Sequence, residues 1–331
     1  MVTVFLLTGC LDSIMSHYLV ITGGVGGAKL ALGLSKIMPA SDVTFAVNTG
    51  DDFDYLGFHI SPDIDTLTYT LAGLNDTDRG WGRREESWNF LSTLQTLDEE
   101  TWFQLGDRDL AIHVYRTSLL AQGKTLSEVT DGIAKKLGIS HFLVPMTDQS
   151  LRTVVVTADG KLPFQDYFVK YQAKPVVEAI EFSGSTGARL SPGVSEALSR
   201  PELGGVIICP SNPFLSIDPI LSIPGFRALL SEITVPVIAV SPIIGGKAVK
   251  GPTEKIMNEM NLEAGCSSLS VAHHYRDILD GIIIDTMDAA QSDDITALGL
   301  EVSVGETLMT SLQIKKDLAQ QCLALIEKIQ S

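Results

Sequence analysis

Residues 18–29 read YLVITGGVGGAK. The run Tyr18–Thr22 has the apolar, β-branched content of a buried strand, and a helical stretch, Ala28–Ile37, follows the glycines. Glycines let a backbone approach a phosphate closely, and a helix start offers free N–H groups and the positive end of a dipole. Gly-Lys-Ser/Thr is absent, so this is not a P-loop. Gly24 and Gly26 open like the dinucleotide fingerprint, but Lys29 stands where its third glycine belongs. The bland reading is a tight strand-to-helix turn.

Outward from this stretch the alternation continues. Val43–Val47, Phe142–Val144, Thr153–Thr157, Val176–Phe182, Val206–Cys209, Val235–Val240, Ile282–Ile284 and Glu301–Val304 read as strands. Several are continuous β-branched runs, the pattern of strands covered on both faces. Helices between them, such as Thr125–Leu137, make this an α/β chain: a mostly parallel sheet between two helical layers. Between about residues 50 and 140 strand signal is scarce and helix signal abundant. Ser61, Pro62 and Asp63 form a helix start there, and the segment is expected to be a helical insertion. Asp159-Gly160 predicts a hairpin. Lys315–Ile329, with Leu318, Cys322, Leu325 and Ile329 at helical spacing, predicts an amphipathic helix used in core or dimer packing.

The chain has 331 residues, is 45% hydrophobic and 19% charged, and carries a formal charge of −16. That supports a large core and excludes disorder. There is no basic block for nucleic acid and no run of transmembrane length. Four scattered cysteines, Cys10, Cys209, Cys266 and Cys322, give neither a CxxC pair nor a disulfide framework, which fits a reducing cytoplasm. Val2–Leu7 is apolar but lacks a preceding Lys or Arg, so residues 1–17 read as an extension rather than a signal peptide, with Met15 a possible start. Residues 18–331 are expected to form one domain.

Five further segments carry possible chemistry. Asn48-Thr49-Gly50-Asp51-Asp52 closes the second strand, where open α/β sheets bind ligands; paired acids there suit Mg²⁺, and the bland alternative is a solvated Asx turn. Asp63 and Asp65 fall in the first helical turn after Ser61, where helix-dipole complementation explains one acid better than four. They are candidates for metal ligation and general base. In Gly106-Asp107-Arg108-Asp109, Arg108 can grip a phosphate or carboxylate, or form a surface ion pair. Cys209-Pro210-Ser211-Asn212-Pro213 and Ser241-Pro242-Ile243-Ile244-Gly245-Gly246-Lys247 are loops at strand ends, the second with Lys250 nearby. No histidine pair has ligand spacing, and no Gly-x-Ser-x-Gly elbow occurs.

In this order GGVGGAK, NTGDD, ISPDIDT, GDRDLA, CPSNPF and SPIIGGKAVKGP resemble the 2-phospho-L-lactate transferase family of coenzyme F(420) biosynthesis, from about Tyr18 to the C-terminus. The resemblance implies a Rossmann-like, dimeric transferase that requires Mg²⁺. The substrates it implies are 7,8-didemethyl-8-hydroxy-5-deazariboflavin and a guanosine diphosphate ester of a phosphorylated C3 acid. The ribityl hydroxyl attacks the acid-bearing phosphorus and GMP leaves. Carried onto this chain, it puts the deazaflavin near Asp65 and Arg108. The diphosphate then lies along Gly23, Gly24, Gly26, Gly27 and Lys29 and the Ser211-Asn212 turn. Asp51 and Asp63 are our choice for the metal, and Asp65, Asp63 and Arg108 for catalysis. Trp81 or Trp88 is the expected stacking surface for the flat ring. The competing readings are a nucleotide-sugar-binding regulator of the same fold, whose acidic segment after the second strand reads more like DDGGSSG, and a nicotinamide dehydrogenase. The second would need an acid where Asn48 stands.

Overall fold

The computed structural model describes residues 16–249, 251–260 and 264–331. Seven parallel strands make the central sheet: β1 (His17–Thr22), β2 (Val43–Val47), β3 (Phe142–Pro145), β4 (Leu203–Ile208), β5 (Val237–Val240), β6 (Gly281–Asp285) and β7 (Glu301–Gly305). Their order across the sheet is β7-β6-β5-β4-β1-β2-β3. Chain direction across the sheet reverses between β1 and β4, so the crevice beyond their carboxyl ends is the natural ligand site.

The strands read as continuous apolar runs because both faces are covered. Val20, Phe45, Ile207, Ile238 and Ile283 pack with α1 (Gly24–Ile37), α2 (Pro62–Ala72) and the C-terminal helix Leu312–Gln330. Ile21, Ala46, Val206, Ile208 and Ile282 face the opposite layer, with Val194, Phe226 and Val271. Each fully buried side chain of this size stabilises by roughly 1.5–3 kcal/mol. The three-layer α/β expectation therefore holds, and the C-terminal helix packs in the core through Leu318, Cys322 and Leu325. No single helix among the described residues is long and apolar enough to cross a membrane.

β1 begins at His17, whose buried ring donates from Nδ1 to the Ser41 carbonyl, 2.9 Å away. The expected extension, apart from residues 16 and 17, lies outside the described residues, as do Cys10 and Lys250.

The segment between β2 and β3 is mainly helical: α2, the helix Asn89–Gln95, α3 (Asp107–Ala121) and α4 (Leu126–Lys136). Thr125 caps α4 in a capping box with Glu128. An unexpected antiparallel hairpin, Phe53–Tyr55 with Phe58–Ile60, precedes α2. Its strands are three residues long, below what period-2 patterning can reveal. Side chains elsewhere hold it, since Phe53 and Tyr55 pack edge-on against Phe103 and Trp102. The Asp159 hairpin forms as expected, in a three-stranded antiparallel sheet of Arg152–Thr157, Gly160–Pro163 and Ala179–Ser183.

Candidate active site

A cleft of about 760 Å³ opens beyond β1 and β4. One wall is the glycine turn. Gly24 has φ +63°, a left-handed conformation that favours glycine, and α1 carries no acid in its first turn. Gly26 and Gly27 face inward instead. A Cβ on Gly26 would lie 2.2 Å from the Pro210 carbonyl, and one on Gly27 2.2 Å from the Thr22 hydroxyl. These two glycines let the turn seat against the β4 loop. Ser211 clasps the same junction: its hydroxyl accepts from the Gly23 amide at 3.2 Å and donates to the Gly23 carbonyl at 2.7 Å. Asn212 Oδ1 accepts from the amides of Phe214 and Leu215, and its buried Nδ2 makes no hydrogen bond.

Asn48, at the end of β2, organises the acids. Its buried Nδ2 donates to Asp63 at 3.0 Å and to the Leu215 carbonyl at 3.2 Å, and its Oδ1 accepts from the Gly50 amide at 2.8 Å. Asp51 and Asp63 both line the cleft and are buried. Burial pushes the Asp63 carboxyl up to about 6, against hydrogen bonds from the Asn48 side chain and the Gly24 backbone. Burial, and then the charge of Asp63, pushes Asp51 well above the usual carboxylate range, and its Oδ1 has no hydrogen-bond partner. Asp52 is turned away: it accepts from the Ser61 hydroxyl at 2.9 Å and meets the His59 ring at 3.1 Å. Ser61 thus occupies the cap position of α2, but its hydroxyl does not cap the helix.

A second set of acids sits on α2 and α3. Both oxygens of Asp65 engage Arg116, Oδ2 at 3.1 Å from Nη1 and Oδ1 against Nη2. Arg116 also approaches His113 Nδ1 at 3.2 Å, and Tyr69 donates its hydroxyl to Asp109 Oδ1. Burial would raise the Asp109 carboxyl, but hydrogen bonding from His113 and Tyr69, with the charge of Arg116, outweighs it and holds it below the usual range. Asp65, Asp109 and His113 place one ligand atom each within 4.8 Å of one another, a spacing compatible with a divalent cation.

The cleft therefore brings together Gly23, Gly24, Gly26, Lys29, Asp51, Asp63, Asp65, Ser211 and Asn212 from the sequence reading; Gly27 lies just beneath. Arg108 is not in its lining: half-exposed, it pairs with Glu85 at 2.9 Å. Trp81 lines the cleft and Trp88 does not. The larger aromatic wall, Trp102, Phe103, Phe164 and Phe168, was not anticipated. Arg116, Asp109 and His113 were missed as a group, although their i, i+4, i+7 spacing on one helix face was a usable signal.

A profile of the family described as 2-phospho-L-lactate transferase CofD matches residues 19–305. The chain belongs to this family. It is 36% identical to a phosphoenolpyruvate transferase of Streptomyces griseus over 318 residues, 94% of this chain and 99% of that one. It is 37% identical to a 2-phospho-L-lactate transferase of Methanosarcina mazei over 302 residues, 91% and 98% of the two chains. A crystal structure of a UPF0052-family protein from Bacillus halodurans superposes with a TM-score of 0.59 at 13% identity, covering 93% of this chain and 99% of that one, a likeness of fold alone. Membership in the 2-phospho-L-lactate transferase family makes the chain a transferase of the phospholactate-transfer type and sets the nucleotide-sugar-binding regulator aside.

Proposed function

We propose that the protein joins a phosphorylated C3 acid, carried as its guanosine diphosphate ester, to the terminal ribityl hydroxyl of 7,8-didemethyl-8-hydroxy-5-deazariboflavin, releasing GMP. Family membership supports the reaction. The observation that carries the reading onto this chain is the make-up of one cleft. At it lie the α1 start, with Gly23, Gly24, Gly26, Gly27 and Lys29, and the Ser211-Asn212 turn. The same cleft is also lined by the aromatic residues Trp102, Phe103, Phe164 and Phe168, suited to a flat heterocycle.

The residues fit a divalent cation at Asp51 and Asp63. Two buried carboxylates with raised proton affinity, one with an orphaned oxygen, lack the compensation that a bound cation gives. We assign Mg²⁺ to them; when bound it neutralises charge on the diphosphate. The chain's own residues position the reactants. Asp65, held flat by Arg116, orients the acceptor. Asp63 links the metal site to the glycine turn through the Gly24 backbone. Arg108, one residue before the cleft-lining Asp109, is the rim cation for the acceptor. The absence of a paired-cysteine framework supports action in the cytoplasm, and the resemblance supports a homodimer of single-domain subunits.

The test is a single-turnover assay of the purified protein with deazaflavin, Mg²⁺ and guanosine diphosphate esters of phospholactate, phosphoenolpyruvate or phosphoglycerate. Mass spectrometry should find the deazaflavin enlarged by one phospho-acid group and an equal amount of GMP. Failure with every donor overturns the reading.

A further inference from the structure

The proton of the attacking hydroxyl needs an acceptor, and the obvious carboxylate is the wrong shape for the task. Both Asp65 oxygens are taken up by the Arg116 guanidinium, and its side chain is only 8% exposed. Asp109 lines the same cleft at 17% exposure, and His113 behind it is at 2%. The Asp109 Oδ1 receives the Tyr69 hydroxyl and faces His113 Nε2 at 3.3 Å, which leaves Oδ2 for a substrate.

The hydrogen-bond logic fixes the ring behind it. A guanidinium can only donate. Arg116 Nη1 is 3.2 Å from His113 Nδ1, so that nitrogen accepts and the neutral ring carries its proton on Nε2. That proton points at Asp109. The buried Nε2 lies 3.3 Å from Asp109 Oδ1.

We propose that Asp109, and not Asp65, takes the proton of the acceptor hydroxyl, with Tyr69 and His113 as positioning residues. The inference rests on the transferase reading. The hydroxyl oxygen forms a bond to the acid-bearing phosphorus. The bond from that phosphorus to the oxygen bridging to GMP breaks, and its electron pair leaves with GMP. The proton passes to Asp109. Phosphoryl transfer runs through a loose transition state in which the hydroxyl gives up its proton late, so the carboxylate must be ionised and well placed rather than strongly basic.

The experiment compares wild type, Asp109→Asn and Tyr69→Phe in single-turnover and steady-state assays, with melting curves and GDP calorimetry on each. Asp109→Asn should lower kcat by about 10²–10⁴-fold, with KM for both substrates and GDP affinity nearly unchanged. Tyr69→Phe should lower kcat about tenfold through the lost charge-assisted hydrogen bond, again without a KM change. A folded Asp109→Asn protein with kcat within about threefold of wild type overturns the assignment. If that variant does not fold, Tyr69→Phe with wild-type kcat overturns it instead. Wild type that turns over no donor defeats the transferase reading itself, a result distinct from an active wild type beside an active Asp109→Asn.

Discussion

Two groups of buried aspartates share one cleft and solve the same electrostatic problem differently. Asp51 and Asp63, at the ends of β2 and the start of α2, are solvated by an asparagine amide and backbone, and the charges acting on them are other carboxylates. Asp65, two residues further along α2, and Asp109, on α3, are surrounded by a guanidinium, an imidazole and a phenol. Burial acts to raise Asp109 as well as the first pair, so burial alone cannot explain why the carboxyls of the first are pushed up and that of Asp109 is held down. Compensation decides it. A site that supplies its own positive charge is compensated as it stands; one that does not fits the proposal that it takes a cation from outside.

Removing that cation is the harshest way to test the contrast. Chelation should reduce transfer by at least about 10³-fold, since a metal ion supplies several kcal/mol of charge stabilisation to a pyrophosphate reaction. Added Mg²⁺ should restore it. Full turnover in a metal-free preparation would make the two groups equivalent and end the comparison.

The self-compensated group makes the opposite prediction, on stability rather than metal. Arg116→Ala leaves Asp65 and Asp109 without their guanidinium and should cost about 3–5 kcal/mol in urea unfolding, with or without Mg²⁺. The exposed pair Lys135–Asp131 on α4 is the internal control. Lys135→Ala should cost under about 1 kcal/mol. Equal losses for the two variants would show that Arg116 is a surface-like charge despite its burial.

What the sequence made legible follows the same division. β1, β2 and the later core strands were readable because apolar runs covered on both faces need no partner to be recognised, as in Val20 and Ile21, which face opposite layers. The glycine turn and Asp51 could be named as candidates because they follow the ends of β1 and β2, and Asp63 because it opens α2, and the structure brings them to one cleft. Arg116 was not, because its role depends on α3 crossing the start of α2, a contact that spans 51 positions. The Phe53–Ile60 hairpin escaped for a similar reason: Trp102 and Phe103, far along the chain, supply its packing. Ser61 shows the limit of local rules, since its hydroxyl leaves the helix cap for Asp52.

A smaller effect than the loss of metal or of Arg116 is the pH dependence of the uncompensated pair, and it gives the sharpest sign. Burial lifts Asp63 from an ordinary 3.8 to about 6 in the folded protein. Between those values the folded state keeps a proton that the unfolded state has released, so stability must fall as pH rises through the window. The loss is complete above about pH 6 and amounts to roughly 3 kcal/mol for a gap of that size. Asp51, pushed up by burial and by Asp63, acts in the same direction. Urea midpoints of metal-free wild type measured from pH 4 to pH 7.5 should therefore drop relative to Asp63→Asn, which has no charge to gain at that position. Mg²⁺ should flatten the difference, because a bound cation favours the ionised carboxylates and takes over from the proton. Parallel curves for wild type and variant, or curves that Mg²⁺ leaves unmoved, would mean that Asn48 and the Gly24 backbone already satisfy Asp63 and that it needs no cation.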